Sequence, residues 1–162
     1  MRKVRVHGEV PLMTPAEVLS RATTLAAALE QEPVDAVYLF GSYGRAVKGE
    51  GTVSPLSDVD LGVQVAADIP ERDYGALLLR LLGLLSSLFG REDLDVTLLN
   101  QAGATLRYEA MARGHALYLR RPDLDLELKV SARREYFDTA WMREFYHQSY
   151  VRRVKEGRNL EP

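Results

Sequence analysis

Cysteine is missing altogether, which excludes disulfides, thiolate metal sites and a cysteine nucleophile together. Excess charge of either sign is missing too: 21 lysines and arginines stand against 23 aspartates and glutamates, a formal net charge of −2. Without an overall field, neither nucleic acid nor an anionic membrane is expected as the main partner. No apolar run is long enough to span a bilayer. The longest, Leu77 to Phe89, is interrupted by Arg80 and by Ser86-Ser87. The opening MRKVRVHGEVPLM is charged and has no apolar segment, so no secretory signal is expected, and a cytoplasmic location follows. The three histidines, His7, His115 and His147, share no ligand spacing and have no nucleophile pattern nearby. They are expected to be surface or partly packed residues.

What is present is an ordinary globular composition, 46% apolar and 27% charged over 162 residues, enough for one domain with a real core. Thr14-Pro15-Ala16-Glu17 reads as a capping box with proline at the first helical position, and Val18, Ala22, Leu25, Ala26 and Leu29 recur at helical spacing. A helix over 15–31 follows, stopped by Pro33. Val34 to Phe40 is a nearly all-apolar run of β-formers, so it predicts a buried strand ending at Gly41. The polar, glycine-punctuated stretch from Ser42 to Pro55 comes next, its first turns compatible with helix. Val59 to Val65 reads as a second strand, and Pro70 to Phe89 as a leucine-rich helix with Gly90 where a C′ glycine belongs. Leu94 to Leu99 is a third strand, Ala102 to Arg113 a helix stopped by Gly114, and His115 to Leu119 a short strand. From about Asp123 to Arg153 a last helix, whole or broken, carries Tyr136, Phe137, Trp141, Phe145 and Tyr146, expected as core or partner contacts. Arg152, Arg153, Lys155 and Arg158 form a basic tail, solvated or facing an acidic partner. The order of elements places the chain in the α/β or α+β class, with a mixed sheet and helices.

Chemistry concentrates in LFGSYGRAVKGEGTVSPLSDVDLGVQV, residues 39 to 65. Strand side chains alternate faces, so Asp58 and Asp60 point to one side, roughly 7 Å apart along the chain. Two carboxylates on one face repel unless a cation sits between them. Hard divalent ions such as magnesium take such oxygen ligands and complete their shell with waters and substrate phosphates. Asp95, in the DLDVTLL run, can supply a third carboxylate if its strand is a neighbour, with Asp93 as its same-face competitor. Three carboxylates holding two metals suit in-line phosphoryl or nucleotidyl displacement. Gly41 lets backbone N–H groups approach a polyphosphate, Ser42 adds a hydroxyl donor, and Arg45 is placed to neutralise phosphate. No Gly-Lys-Ser/Thr follows, so this is not a Walker loop.

GSYGRA, then SPLSDVDLGVQV, then DLDVTLL resembles the DNA polymerase β-like nucleotidyltransferase superfamily, and within it the minimal nucleotidyltransferases, or MNT proteins. The resemblance is good over 34–100. LRYEAMARGHALYLR and REYFDTAWMREFY are similar to the C-terminal half of MNT partners of HEPN toxins. It implies a single nucleotidyltransferase domain over 1–162, with a catalytic core over about 15–100 and a strand and helical extension over about 101–155. Gly41 and Ser42 would hold the triphosphate of ATP or another NTP, and Asp58 and Asp60 would bind both Mg2+ ions. Asp95 would complete the catalytic metal and help deprotonate an acceptor hydroxyl. It further implies an antitoxin that transfers AMP to a HEPN-type toxin, on a tyrosine hydroxyl. The stretch between Ser42 and Asp58 is longer than the family pattern, an insertion around KGEGT that bears on Arg45 and the loop's substrate contacts more than on the metal ligands.

Three alternatives stay open at this point. A small-molecule, aminoglycoside-type nucleotidyltransferase would need a larger C-terminal substrate domain than the chain after Asp95 provides. A non-catalytic antitoxin with the same fold would be free to lose Ser42, Asp58, Asp60 and Asp95, all of which are present. A glycosyltransferase using Asp-x-Asp would need a larger nucleotide-sugar domain.

Overall fold

The computed structural model describes residues 13–155, so His7 and Arg158 lie outside the described residues. The capping box forms: Glu17 N–H donates to Thr14 Oγ1, and Thr14 N–H donates back to Glu17 at 2.6 Å. It opens α1 (Pro15–Ala22). The single helix predicted over 15–31 is instead two, with α2 at Leu25–Ala28. The Thr23 and Thr24 hydroxyls donate to the Ser20 and Arg21 carbonyls at 2.7 and 2.8 Å, competing with the helical ladder where the break falls. The same device breaks the C-terminal helix into α6 (Leu124–Asp138) and α7 (Ala140–Lys155), where Thr139 Oγ1 donates to the Glu135 carbonyl at 2.8 Å.

Four strands, β1 (Val34–Leu39), β2 (Val59–Val65), β3 (Leu94–Leu98) and β4 (His115–Leu119), make one mixed sheet in the order β3-β2-β1-β4. β1 pairs antiparallel with β2 and with β4, whereas β2 and β3 run parallel. A parallel pair needs a crossover, and α4 (Tyr74–Phe89), after a 3₁₀ turn at Glu71–Asp73, supplies it. Gly90 ends α4 in the left-handed conformation at φ 63°, which a residue with a β-carbon adopts only at a cost.

Period-2 alternation sorts the strands' side chains onto two faces. Val37, Leu39, Val59, Leu61, Val63, Leu94 and Leu98 join the larger core, against Val18 of α1, Leu25 of α2 and the Leu77, Leu81, Leu85 and Phe89 row of α4. Each such side chain, fully buried, contributes about 1.5–3 kcal/mol. Ala36 and Tyr38 face the other way, with Leu99, Ala110, Met111 and Ala132. That second face is covered by α6 and by a π-helical turn at Tyr108–Ala112, which continues the short helix α5 (Ala104–Arg107). The helix predicted over 102–113 therefore changes pitch midway, closing with Arg113 N–H on the Tyr108 carbonyl at 3.1 Å. Tyr38 OH donates to Asp125 Oδ1 at 3.0 Å and so ties the sheet to α6.

The C-terminal aromatics are not core. Trp141, Phe145, Tyr146 and Tyr150 are all exposed on α7, which buries none of its residues. The root of α7 is nevertheless held. Tyr136 is stacked between Tyr108, with centroids 4.2 Å apart, and the Arg143 guanidinium, 3.7 Å above its ring. No helix among the described residues is long and apolar enough to cross a membrane.

Candidate active site

β1 ends at Leu39, and the chain turns through Phe40 into α3 (Gly41–Val47). Phe40 N–H donates to the Asp60 carbonyl at 3.1 Å, which fixes this turn against the start of β2. Gly41 takes φ 62°, and a β-carbon there would lie 1.9 Å from Asp60 Oδ2. The Gly-Ser turn and the Asp-x-Asp segment, separated by the long loop, are thus in direct contact, and only glycine allows it. One turn into α3, Tyr43 is fully buried and donates to the Met13 carbonyl at 2.8 Å.

The parallel ladder aligns Asp60 with Asp95 as Cα partners, so both carboxylates stand on the same face of adjacent strands. Asp58 and Asp95 are exposed and Asp60 is half-buried between them. The Asp60 carboxyl is held above its ordinary range, first by burial, then by the charges of Asp95 and Asp58; Arg45 pulls it partly back. All three predicted carboxylates, and Arg45 with them, are therefore within electrostatic reach of one point. Among the described residues no three acidic or histidine side chains already stand close enough to chelate an ion. The three carboxylates are therefore neighbours by register and by charge without forming a ready-made chelating cluster. A partly buried carboxylate facing two more, with a single arginine near, fits a hard divalent cation such as Mg2+.

Asp93 goes elsewhere. It accepts from Arg91 Nε at 2.7 Å, and Arg91, itself 6% exposed, also donates to Tyr43 OH at 3.1 Å. The guanidinium holds the Asp93 carboxyl below its ordinary range. Asp93 thus anchors the base of α3 rather than competing with Asp95.

The sequence did not single out a second group of side chains beside the turn. Glu50, Glu109 and Arg113 line a cleft with Gly41, Gly44 and Arg45. Arg113 is paired with Glu109 at 3.0 Å, and Lys48 Nζ donates to the Arg113 carbonyl at 2.6 Å. Only the Glu109/Arg113 spacing before Gly114 could have pointed to them. The extra loop continues from Lys48 and closes on a turn in which Ser54 N–H donates to Ser57 Oγ at 3.1 Å. A hollow of about 500 Å³ along one side of α7 is lined by His147, Gln148, Val151, Arg152 and Lys155, with no carboxylate among them.

A mixed sheet that presents a Gly-Ser turn to an Asp-x-Asp strand, with a third aspartate in register, defines a nucleotidyltransferase fold. The chain belongs to the polymerase beta nucleotidyltransferase family, whose model matches residues 23–123. Three solved structures share its fold. One, from Shewanella oneidensis, is a tri-AMPylated HEPN toxin in complex with MNT antitoxin; the match has a TM-score of 0.57 and 19% identity, covering 82% of this chain and 97% of that one. Another is a toxin-antitoxin with AMP-PNP, at TM-score 0.60 and 20% identity, covering 80% and 98%. The third is the toxin-antitoxin MntA-HepT, at TM-score 0.57 and 18% identity, covering 82% and 97%. No curated protein sequence matches the chain significantly.

Proposed function

We propose that this protein is an MNT-type antitoxin that transfers AMP from ATP to a hydroxyl of a HEPN-type toxin, with Mg2+ held by Asp58, Asp60 and Asp95. The observation that carries this reading is the pairing of Asp60 with Asp95 across β2 and β3, with the Asp60 carboxylate lying over Gly41. It gains support from solved relatives of the same fold, one an AMP-PNP complex and one a complex with an AMPylated toxin.

In this reading Asp58, Asp60 and Asp95 would hold the Mg2+, which would supply charge neutralisation of the triphosphate for displacement at the α-phosphorus. Gly41 and Ser42 receive the phosphate tail, and Arg45 offsets its charge. Asp95, exposed and on the strand across from Asp60, accepts the proton of the acceptor hydroxyl. The acceptor oxygen bonds to the α-phosphorus while the bond from that phosphorus to pyrophosphate breaks, and pyrophosphate leaves. Residues of about 15–100 form the catalytic core and those of 101–155 the extension. A cytoplasmic location, where ATP is at hand, belongs to the same proposal.

The test is transfer of label from α-labelled ATP, with and without Mg2+, to a HEPN toxin. Label on the toxin that needs both Mg2+ and Asp60 is the expected result. Toxin that is bound and neutralised but never labelled would replace catalysis with steric blocking, and label on an aminoglycoside instead would move the acceptor to small molecules.

A further inference from the structure

Among the described residues β3 is an edge strand with β2 as its one strand neighbour. Leu99 N–H donates to the Val63 carbonyl at 2.8 Å. By the two-residue alternation of a parallel ladder, the main-chain groups of Asp95 and Thr97 also turn toward β2, and those of Val96 turn outward. Among the described residues no backbone group pairs with Val96 on that outer side. A groove of about 340 Å³ runs here, lined by Tyr74 and Leu78 of α4, by Val96, Thr97 and Leu98, and by Gln101. Val96 and Thr97 point to opposite faces of the sheet, yet both line it. The groove therefore wraps the edge of β3 instead of lying under one face.

We propose that this edge receives the acceptor, an extended segment of the protein substrate that adds to the sheet as a further strand beside β3. The inference rests on the transfer reading above, because Asp95 names the occupant. The carboxylate assigned to the acceptor's proton is the neighbour of Val96 in the same strand and is itself exposed, so a segment lying along this edge brings a hydroxyl within reach of Asp95. A strand paired to Val96 satisfies its N–H and C=O. Its side chains then alternate: one residue faces the side of Asp95, and the residues before and after it enter the groove against Tyr74 and Leu78. The substrate is accordingly a polypeptide whose acceptor residue is flanked on both sides by apolar residues. A sugar hydroxyl would leave both the edge groups and the groove unused.

Two variants test this on the full chain. Val96→Pro removes only the outward N–H and leaves the β2 ladder intact, as an edge position permits. Leu78→Glu places a charge in the groove without touching β3. Binding of ATP with Mg2+ is measured for each. AMP transfer is then measured to two peptides, one with the acceptor tyrosine between valines and one with it between aspartates. The wild type is expected to favour the valine-flanked peptide by about tenfold or more. Each folded variant is expected to raise the KM for that peptide by about tenfold with ATP affinity unchanged. A wild type indifferent to the flanking residues, or a Leu78→Glu enzyme with wild-type peptide KM, overturns the proposal. A wild type that binds no ATP and labels neither peptide overturns the transfer reading itself, and the two failures are told apart by the ATP measurement.

Discussion

Asp60 and Gly41 occupy the same space: a single β-carbon added at position 41 would sit 1.9 Å from Asp60 Oδ2. The two residues belong to different motifs with a long loop between them. Their contact means that the Gly-Ser turn and the carboxylate segment cannot shift independently.

Replacing Gly41 with alanine should therefore damage both stability and chemistry. The left-handed backbone alone costs roughly 1–2 kcal/mol, and Asp60 must also swing off its position. Urea unfolding should register the first effect, and AMP transfer should fall by about a hundredfold or more. A Gly41→Ala enzyme with normal transfer would show that Asp60 need not lie where it does.

Asp60→Asn separates stability from activity. The Asp60 carboxyl is raised by burial and by Asp95 and Asp58, so the folded chain binds its proton more tightly than the unfolded chain. An ionised Asp60 then costs stability at neutral pH, and the cost vanishes as pH falls below the ordinary carboxylate value of 3.8. Without metal, Asp60→Asn should be at least as stable as wild type at pH 7, with the difference closing on acidification. AMP transfer should be lost, along with the thermal stabilisation by Mg2+ and ATP. A variant clearly less stable than wild type at pH 7 would contradict the clustering of charge.

Asp93→Asn should behave in the opposite way. Arg91 lowers the Asp93 carboxyl, so the pair stabilises the fold above the ordinary carboxylate pKa and loses that contribution as pH falls through the lowered value. Asp93 is partly exposed, which limits the loss at pH 7 to about 1–2 kcal/mol. The loss should shrink in acid. Transfer should survive in Asp93→Asn and disappear in Asp95→Asn; equal loss in both would return Asp93 to the site.

Arg45→Ala bears on the nucleotide. With its guanidinium removed, the KM for ATP should rise by about tenfold, and the Asp60 carboxyl should titrate higher than in wild type. Carbon-detected NMR of the aspartates reads the second effect. An unchanged KM would place Arg45 outside the phosphate path.

The strands were legible because period-2 runs are local; the meeting of Asp60 with Asp95 depended on strand order, which the parallel ladder supplies. β2 and β4 have the bounds that their apolar runs indicate. The helix break at Thr23-Thr24 was not legible, and a break in the last helix was left open without being placed at Thr139. A threonine that bonds back to its own turn leaves the apolar period unchanged. Arg91 is two residues from Asp93, but its burial beneath Tyr43 is tertiary, and so is the meeting of Lys48, Glu109 and Arg113 beside the turn. The aromatics of α7 keep a helical spacing whether covered or bare, and here they are bare.

The α4 crossover also has a temporal consequence. A chain emerging from the ribosome presents the glycine turn and the first two aspartates well before the strand that carries the third. That strand can dock only once the intervening helix has formed, the slow, long-range kind of closure. An incomplete or prematurely released product would then be catalytically silent, and the capacity to modify a partner would mark a polypeptide synthesised past Leu98.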